Sequence, residues 1–193
     1  MKFTPKHKGE IFMKNITKNE VLSWMLSIVI ALSVAFLCRT FLFSPTTVHG
    51  ESMSPTFQDT DKLLISKISH IQRFDMVVFK APDADEHYIK RIIGLPGDSV
   101  EMKENILYIN GKAIEEPYLD QNKENAPISK LTEDFTLKEL TGKEKVPKGK
   151  VFVLGDNRLL SKDSRIFGYI SKKSIVGEVK FRFYPIKDIG FTE

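Results

Sequence analysis

Between Val21 and Cys38 the chain runs for 18 residues without a charged side chain, breaks at Arg39, and resumes with Phe41-Leu42-Phe43. At about 1.5 Å per residue a helix of that length extends about 27 Å, close to the roughly 30 Å hydrocarbon core of a bilayer. Trp24 near one end and Phe41 to Phe43 near the other suit the two interfaces. The pattern predicts a single transmembrane helix over 21–43. A cleaved signal peptide is the competing reading, with Ser33-Val34-Ala35 as a small-x-small site. That site lies inside the apolar run, with Phe36 and Leu37 still to come, whereas cleavage follows the apolar region. A retained anchor fits better.

From Lys62 onward the apolar runs are short, β-branched and punctuated by Gly, Pro, Asp and Asn. They predict strands over 62–67, 76–80, 88–93, 99–103, 106–109, 151–154 and 175–184. Asn110-Gly111 and Pro96-Gly97-Asp98 mark turns. No stretch after the anchor carries a convincing helical stripe; the best, 131–140, is short. Residues 115–148 are rich in Lys, Glu, Asp and Asn, with Pro117, Pro127 and Pro147, and read as a polar surface excursion without a catalytic constellation. The fold class is mostly β: a basic tail over 1–20, the anchor over 21–43, and a β-rich domain over 44–193 that contains the excursion.

Charge adds orientation. Residues 1–20 carry five lysines against Glu10 and Glu20, a net of +3 (5 minus 2), while the whole chain is +4. The remainder is close to neutral, so the high isoelectric point reports a tail and not nucleic-acid binding. Five lysines before the span and only Arg39 just after it predict a cytoplasmic N-terminus, with everything from Ser44 outside. With 193 residues the chain is long enough for one real core. Cys38 is the only cysteine, so no intrachain disulfide exists. No His, Asp or Glu spacing suggests a metal, and no cofactor is implied.

Three polar stretches stand out after the anchor. They are Ser52-Met53-Ser54-Pro55-Thr56, then Lys90-Arg91-Ile92-Ile93-Gly94-Leu95-Pro96-Gly97-Asp98, then Gly155-Asp156-Asn157-Arg158 running on to Ser161, Asp163, Ser164 and Arg165. A serine hydroxyl is a poor nucleophile until a neighbouring base takes its proton. Of the four histidines, His7 lies in the tail, His49 three residues before Ser52, His70 in a polar turn and His87 at a strand start. None sits in a motif of the kind a serine–histidine–aspartate triad requires, although the sequence leaves that triad open. Lys90 shares a strand face with Tyr88 and Ile92. Burial there disfavours the ammonium and can lower a lysine pKa by up to about 3–5 units, which makes a base of it. Each stretch also has a plain reading: Ser52 in an ordinary turn, Lys90 snorkelling from an edge strand, Asp163 and Arg165 as a surface ion pair.

Taken in order, the three stretches resemble the type I signal peptidases, membrane-anchored serine proteases that use a lysine as base. The resemblance runs from the anchor to about Tyr184. It implies a signal-peptidase-like β-rich catalytic domain, with Ser52 as nucleophile and Lys90 as general base, acting on signal-peptide-bearing preproteins after small residues of the Ala-x-Ala type. It further implies that Ser161 hydrogen-bonds and orients the lysine, that Asp163 and Arg165 brace that loop, and that Asp156 lies near Arg91. Some members carry a hydroxyl residue two positions before the nucleophile as half of the oxyanion hole. Here that position is Gly50, so the Ser52 backbone N–H is one donor and a Gly50 backbone group or water the expected other. The implied partners are preprotein substrates and the lipid bilayer, with the secretion translocon nearby and no nucleic acid. The implied location is the cell membrane, single-pass.

Ser52 follows Phe43 by nine residues, a span of at most about 32 Å when fully extended, which puts the expected site at or near the outer membrane surface. Met53 is expected as an apolar lid over Lys90, and Met53 with Phe57 as a contact with lipid. Two other classes stay open on the residues alone: an exported, non-catalytic β module, and a self-cleaving serine–lysine regulator, which the anchor opposes.

Overall fold

The computed structural model describes residues 18–125 and 130–192. Most of the basic tail and residues 126–129 of the polar stretch therefore lie outside the described residues. Contacts divide the chain into two units, Met1–Arg39 and Thr40–Glu193.

In the first unit, helix α1 (Lys18–Leu37) has no buried residue. It is apolar on every side, the mark of a helix surrounded by lipid and not of one packing a single stripe on a core. Ser27 and Ser33 donate back to the carbonyls of Ser23 and Val29, so their hydroxyls are satisfied within the helix. With the π-helical turn Cys38–Leu42 it forms the one described helix, 25 residues, long and apolar enough to cross a membrane.

The second unit is built from antiparallel strands. One sheet runs in the order β1 (Phe43–Thr47), β2 (Lys62–Ser66), β11 (Ile175–Tyr184), β3 (Met76–Lys80), β4 (His87–Gly94), β9 (Lys150–Leu154), β10 (Ile170–Ser171), with β12 (Gly190–Phe191) also on β11. The other runs β7 (Lys112–Ile114), β6 (Ile106–Ile109), β5 (Val100–Lys103), β8 (Phe135–Thr136). Short helices α2 (Asp120–Asn125), α3 (Leu137–Thr141) and α4 (Ser164–Phe167) join them. All seven expected strands form. Strand β1 was not expected, because Pro45 and its Ser and Thr residues hide it; proline is tolerated there because β1 is an edge strand.

β4 is flanked by β3 and β9, with Lys90 opposite Val77 and Arg91 opposite Met76 and Leu154. Lys90 is therefore on an interior strand, and the edge-lysine reading does not hold. Apolar side chains close around β4 on both faces: Val77, Phe79, Ile92, Val151 and Val153 in one cluster, and Ile93, Val100, Phe152 and Leu154 in another.

Two expectations are corrected. Met53 and Phe57 are each 1% exposed and pack with Val48, Leu63, Ile65 and Val179, so neither is available for lipid. The stretch 115–148 is only partly a surface excursion. Glu116, Leu119, Leu131, Phe135, Leu137 and Val146 are buried, and β8 completes the second sheet. Its helix α3 starts on a capping box, with Thr136 accepting from the Glu139 N–H and the Glu139 carboxylate accepting from the Thr136 N–H. Gly142 ends it in the left-handed conformation at φ 72°.

Candidate active site

Ser52 sits on the turn between β1 and β2. Met53 and Phe57 drive into the core beside it, and the Phe57 N–H donates to the Met53 carbonyl at 2.9 Å, so the turn is fixed from below and Ser52 stays half-buried at its crest. Lys90 Nζ reaches it from β4, lying 2.7 Å from Ser52 Oγ and 3.0 Å from the Ile89 carbonyl. Lys90 is 3% exposed, and the Tyr88 ring lies 5.3 Å from its amine. Burial pulls the Lys90 pKa down to about 8, against the charges of Asp163 and Asp156, which favour the ammonium. A hydroxyl thus touches an amine that gives up its proton near pH 8, well below the ordinary lysine range.

The third stretch surrounds this pair. Asp156 is gripped by Arg91 through Nε at 3.0 Å and Nη2 at 2.7 Å, as expected, and it also accepts from Thr56 Oγ1 at 2.6 Å. Asp163 is fully buried and is not part of a surface pair. It receives two Arg165 hydrogen bonds of 2.8 Å each and the Gly155 N–H at 3.0 Å, and it caps α4. Ser161 is 7% exposed, but its hydroxyl has no hydrogen-bond partner among the described residues, so the expected bond to Lys90 is not made. It packs tightly against the loop: a Cβ on Gly155 would stand 2.1 Å from Ser161 Oγ and 2.5 Å from the Ser52 carbonyl oxygen. Only glycine fits there.

Gly50 holds a different surprise. Its φ of +78° explains the glycine, but its N–H already donates to the Asp59 carboxylate at 2.8 Å. The Gly50 N–H is not the second oxyanion donor. The Ser52 N–H donates to no described residue and remains available.

A cleft of about 830 Å³ opens over the pair, lined among others by Val48, His49, Met53, Tyr88, Ile89 and Leu160. His49 and His87 line it too, both exposed and neither bonded to Ser52. No group of three or more metal-ligating side chains occurs among the described residues.

Sequence reasoning missed several residues that hold the site. Thr56 and Asn157 lie inside the quoted motifs but had no role assigned. Asn157 donates its N–H to the Ser52 carbonyl at 3.0 Å and its side-chain amide to the Glu51 carbonyl at 3.1 Å. Glu116, Tyr118 and Asn122 lie in the polar stretch, with no local signal to expose them. Glu116 forms a buried ion pair with Arg158, and the Tyr118 ring stacks on the Arg91 guanidinium at 4.0 Å.

Comparison with known proteins places the chain in the class of serine endopeptidases. A family model described as "Signal peptidase, peptidase S26" matches residues 21–184. The chain is 48% identical over 166 residues to a signal peptidase I of Bacillus caldolyticus, covering 84% of this chain and 91% of that one. It is 44% identical over 183 residues to a signal peptidase I of Bacillus licheniformis, covering 91% and 95%. A crystal structure of a signal peptidase I from Enterococcus faecalis aligns with a TM-score of 0.56 at 45% identity, over 57% of this chain and 97% of that one. The chain belongs to the signal peptidase family, peptidase S26.

Proposed function

We propose that this signal peptidase works by a serine–lysine mechanism and cuts preproteins after small residues. The observation that carries the reading is the 2.7 Å contact between Ser52 Oγ and a desolvated Lys90. Ser52 Oγ attacks the scissile carbonyl carbon as its proton passes to Lys90 Nζ. The oxyanion forms against the Ser52 N–H. Lys90 gives the proton to the leaving amine as the C–N bond breaks, leaving an ester on Ser52. Neutral Lys90 then takes a proton from water as the water oxygen attacks that ester, and returns the proton to Ser52 Oγ as the ester C–O bond breaks, freeing the new C-terminus and restoring both residues. Arg91, Asp156, Ser161, Asp163 and Arg165 support the pair by fixing the loop around it.

An extended substrate bound along the cleft directs alternate side chains into its walls. Val48, Met53, Val78 and Ile89 in those walls suit small apolar residues, which supports Ala-x-Ala selection. The lysine-rich N-terminus supports a single-pass cell-membrane protein with its tail inside and residues 44–193 outside, beside the bilayer and the translocon that delivers preproteins. The test is to incubate detergent-solubilised enzyme with an exported precursor and sequence the new N-terminus. Cleavage after Ala-x-Ala by wild type and none by Ser52→Ala supports the reading; equal cleavage by both overturns it.

A further inference from the structure

The polar stretch reaches the site at one point that the mechanism above does not use. The Asn122 side-chain amide, on α2, donates to the Ser54 carbonyl at 3.1 Å and to the Asp156 carbonyl at 2.8 Å. Both partners are acceptors only, so the nitrogen must face them and both of its hydrogens are spent. Ser54 lies two residues after the nucleophile; Asp156 opens the loop that carries Ser161 and Asp163. One side chain therefore ties together two segments more than 100 residues apart in sequence. The segment bearing Asn122 is itself anchored. Glu116 pairs with Arg158, whose Nε donates to the Gly155 carbonyl at 3.1 Å. The Tyr118 hydroxyl donates to Glu116, and burial and the Glu116 charge push its pKa up, which keeps the phenol neutral.

We infer that Asn122 is a positioning residue for the reaction, a clamp that holds the Ser52 turn against the Asp156 loop at hydrogen-bonding distance from Lys90. None of residues 116–122 lines the cleft, so the clamp acts on turnover and not on substrate binding. The inference rests on the serine–lysine reading above.

The experiment compares wild type, Ser52→Ala, Asn122→Ala and the isosteric Asn122→Asp with a precursor as substrate, measuring kcat, KM, the pH profile and thermal unfolding. Asn122→Asp keeps the shape but offers its neighbours a carboxylate in place of two donors. Expected are a fall in kcat of about tenfold for Asn122→Ala, a larger fall for Asn122→Asp, KM within about twofold, and a rising pH limb moved upward, because a turn free to lift admits water to Lys90. A kcat within twofold of wild type in both variants overturns the inference. So does a loss seen only in KM, or one that follows only the folded fraction. Precursor cleavage by Ser52→Ala would instead overturn the underlying reading, whatever Asn122 does.

Discussion

Asp163, the carboxylate that bears most strongly on Lys90, is already held by Arg165 through two hydrogen bonds of 2.8 Å. Asp156, the next, is held in the same way by Arg91. Each arginine offsets a charge that favours the ammonium, and desolvation is the larger effect, so Lys90 loses its proton more readily than an ordinary lysine. The two ion pairs are the electrostatic half of the site, and the apolar packing around β4 is the other.

Arg165→Ala frees the Asp163 charge. The ammonium is then favoured, and the rising limb of kcat/KM against pH should move up by about one unit. At pH 7 that costs about tenfold in kcat/KM, narrowing to about twofold at pH 9. A profile superimposable on wild type contradicts this.

Lys90→Met should be inactive yet more stable. The folded-state pKa of about 8 lies below the ordinary 10.5, so at pH 7 the folded chain bears the full cost of a desolvated ammonium. Removing it should gain on the order of 3 kcal/mol at pH 7. Between pH 8 and 10.5 the folded lysine has lost its proton while the unfolded one has not, so wild-type stability rises and the gain fades. Denaturant unfolding at pH 7 and pH 10 measures it; a gain that does not shrink with pH speaks against the account.

The Glu116–Arg158 pair is buried, with side chains 4% and 0% exposed. Glu116→Ala strands the guanidinium and should cost about 3–5 kcal/mol, whereas Glu116→Leu with Arg158→Met should recover most of it. Equal losses in the single and double variants would show that the pair is not the cause.

Gly155→Ala and Gly50→Ala should part company. The first drives a methyl into the Ser52 carbonyl and should abolish cleavage; the second meets nothing within 4 Å and bears only left-handed strain of about 1–2 kcal/mol. Precursor cleavage and thermal unfolding of both proteins decide it.

The sequence was most legible where its pattern was local. Short β-branched runs bounded by turn residues marked β3, β6 and β11 to the residue, and the three ordered motifs identified the family; the structure places Ser52 beside Lys90 and Asp156 beside Arg91. What it hid depends on distant partners. Asp59 takes the Gly50 N–H from nine residues away, and Asn122 reaches Asp156 from 34 away. Neither leaves a mark in its own neighbourhood. The polar stretch misled because Leu131, Phe135, Leu137 and Val146 are spaced among charged residues, with no stripe that a short window can register.

The central claim is that Lys90 is the base for Ser52, and the pH dependence of kcat/KM on a precursor tests it most directly. The account predicts a rising limb with its midpoint near 8, unmoved in His49→Ala and His87→Ala and absent in Lys90→Ala, which should not cleave at any pH. A limb near the ordinary histidine value of about 6.5 that disappears with either histidine would contradict it.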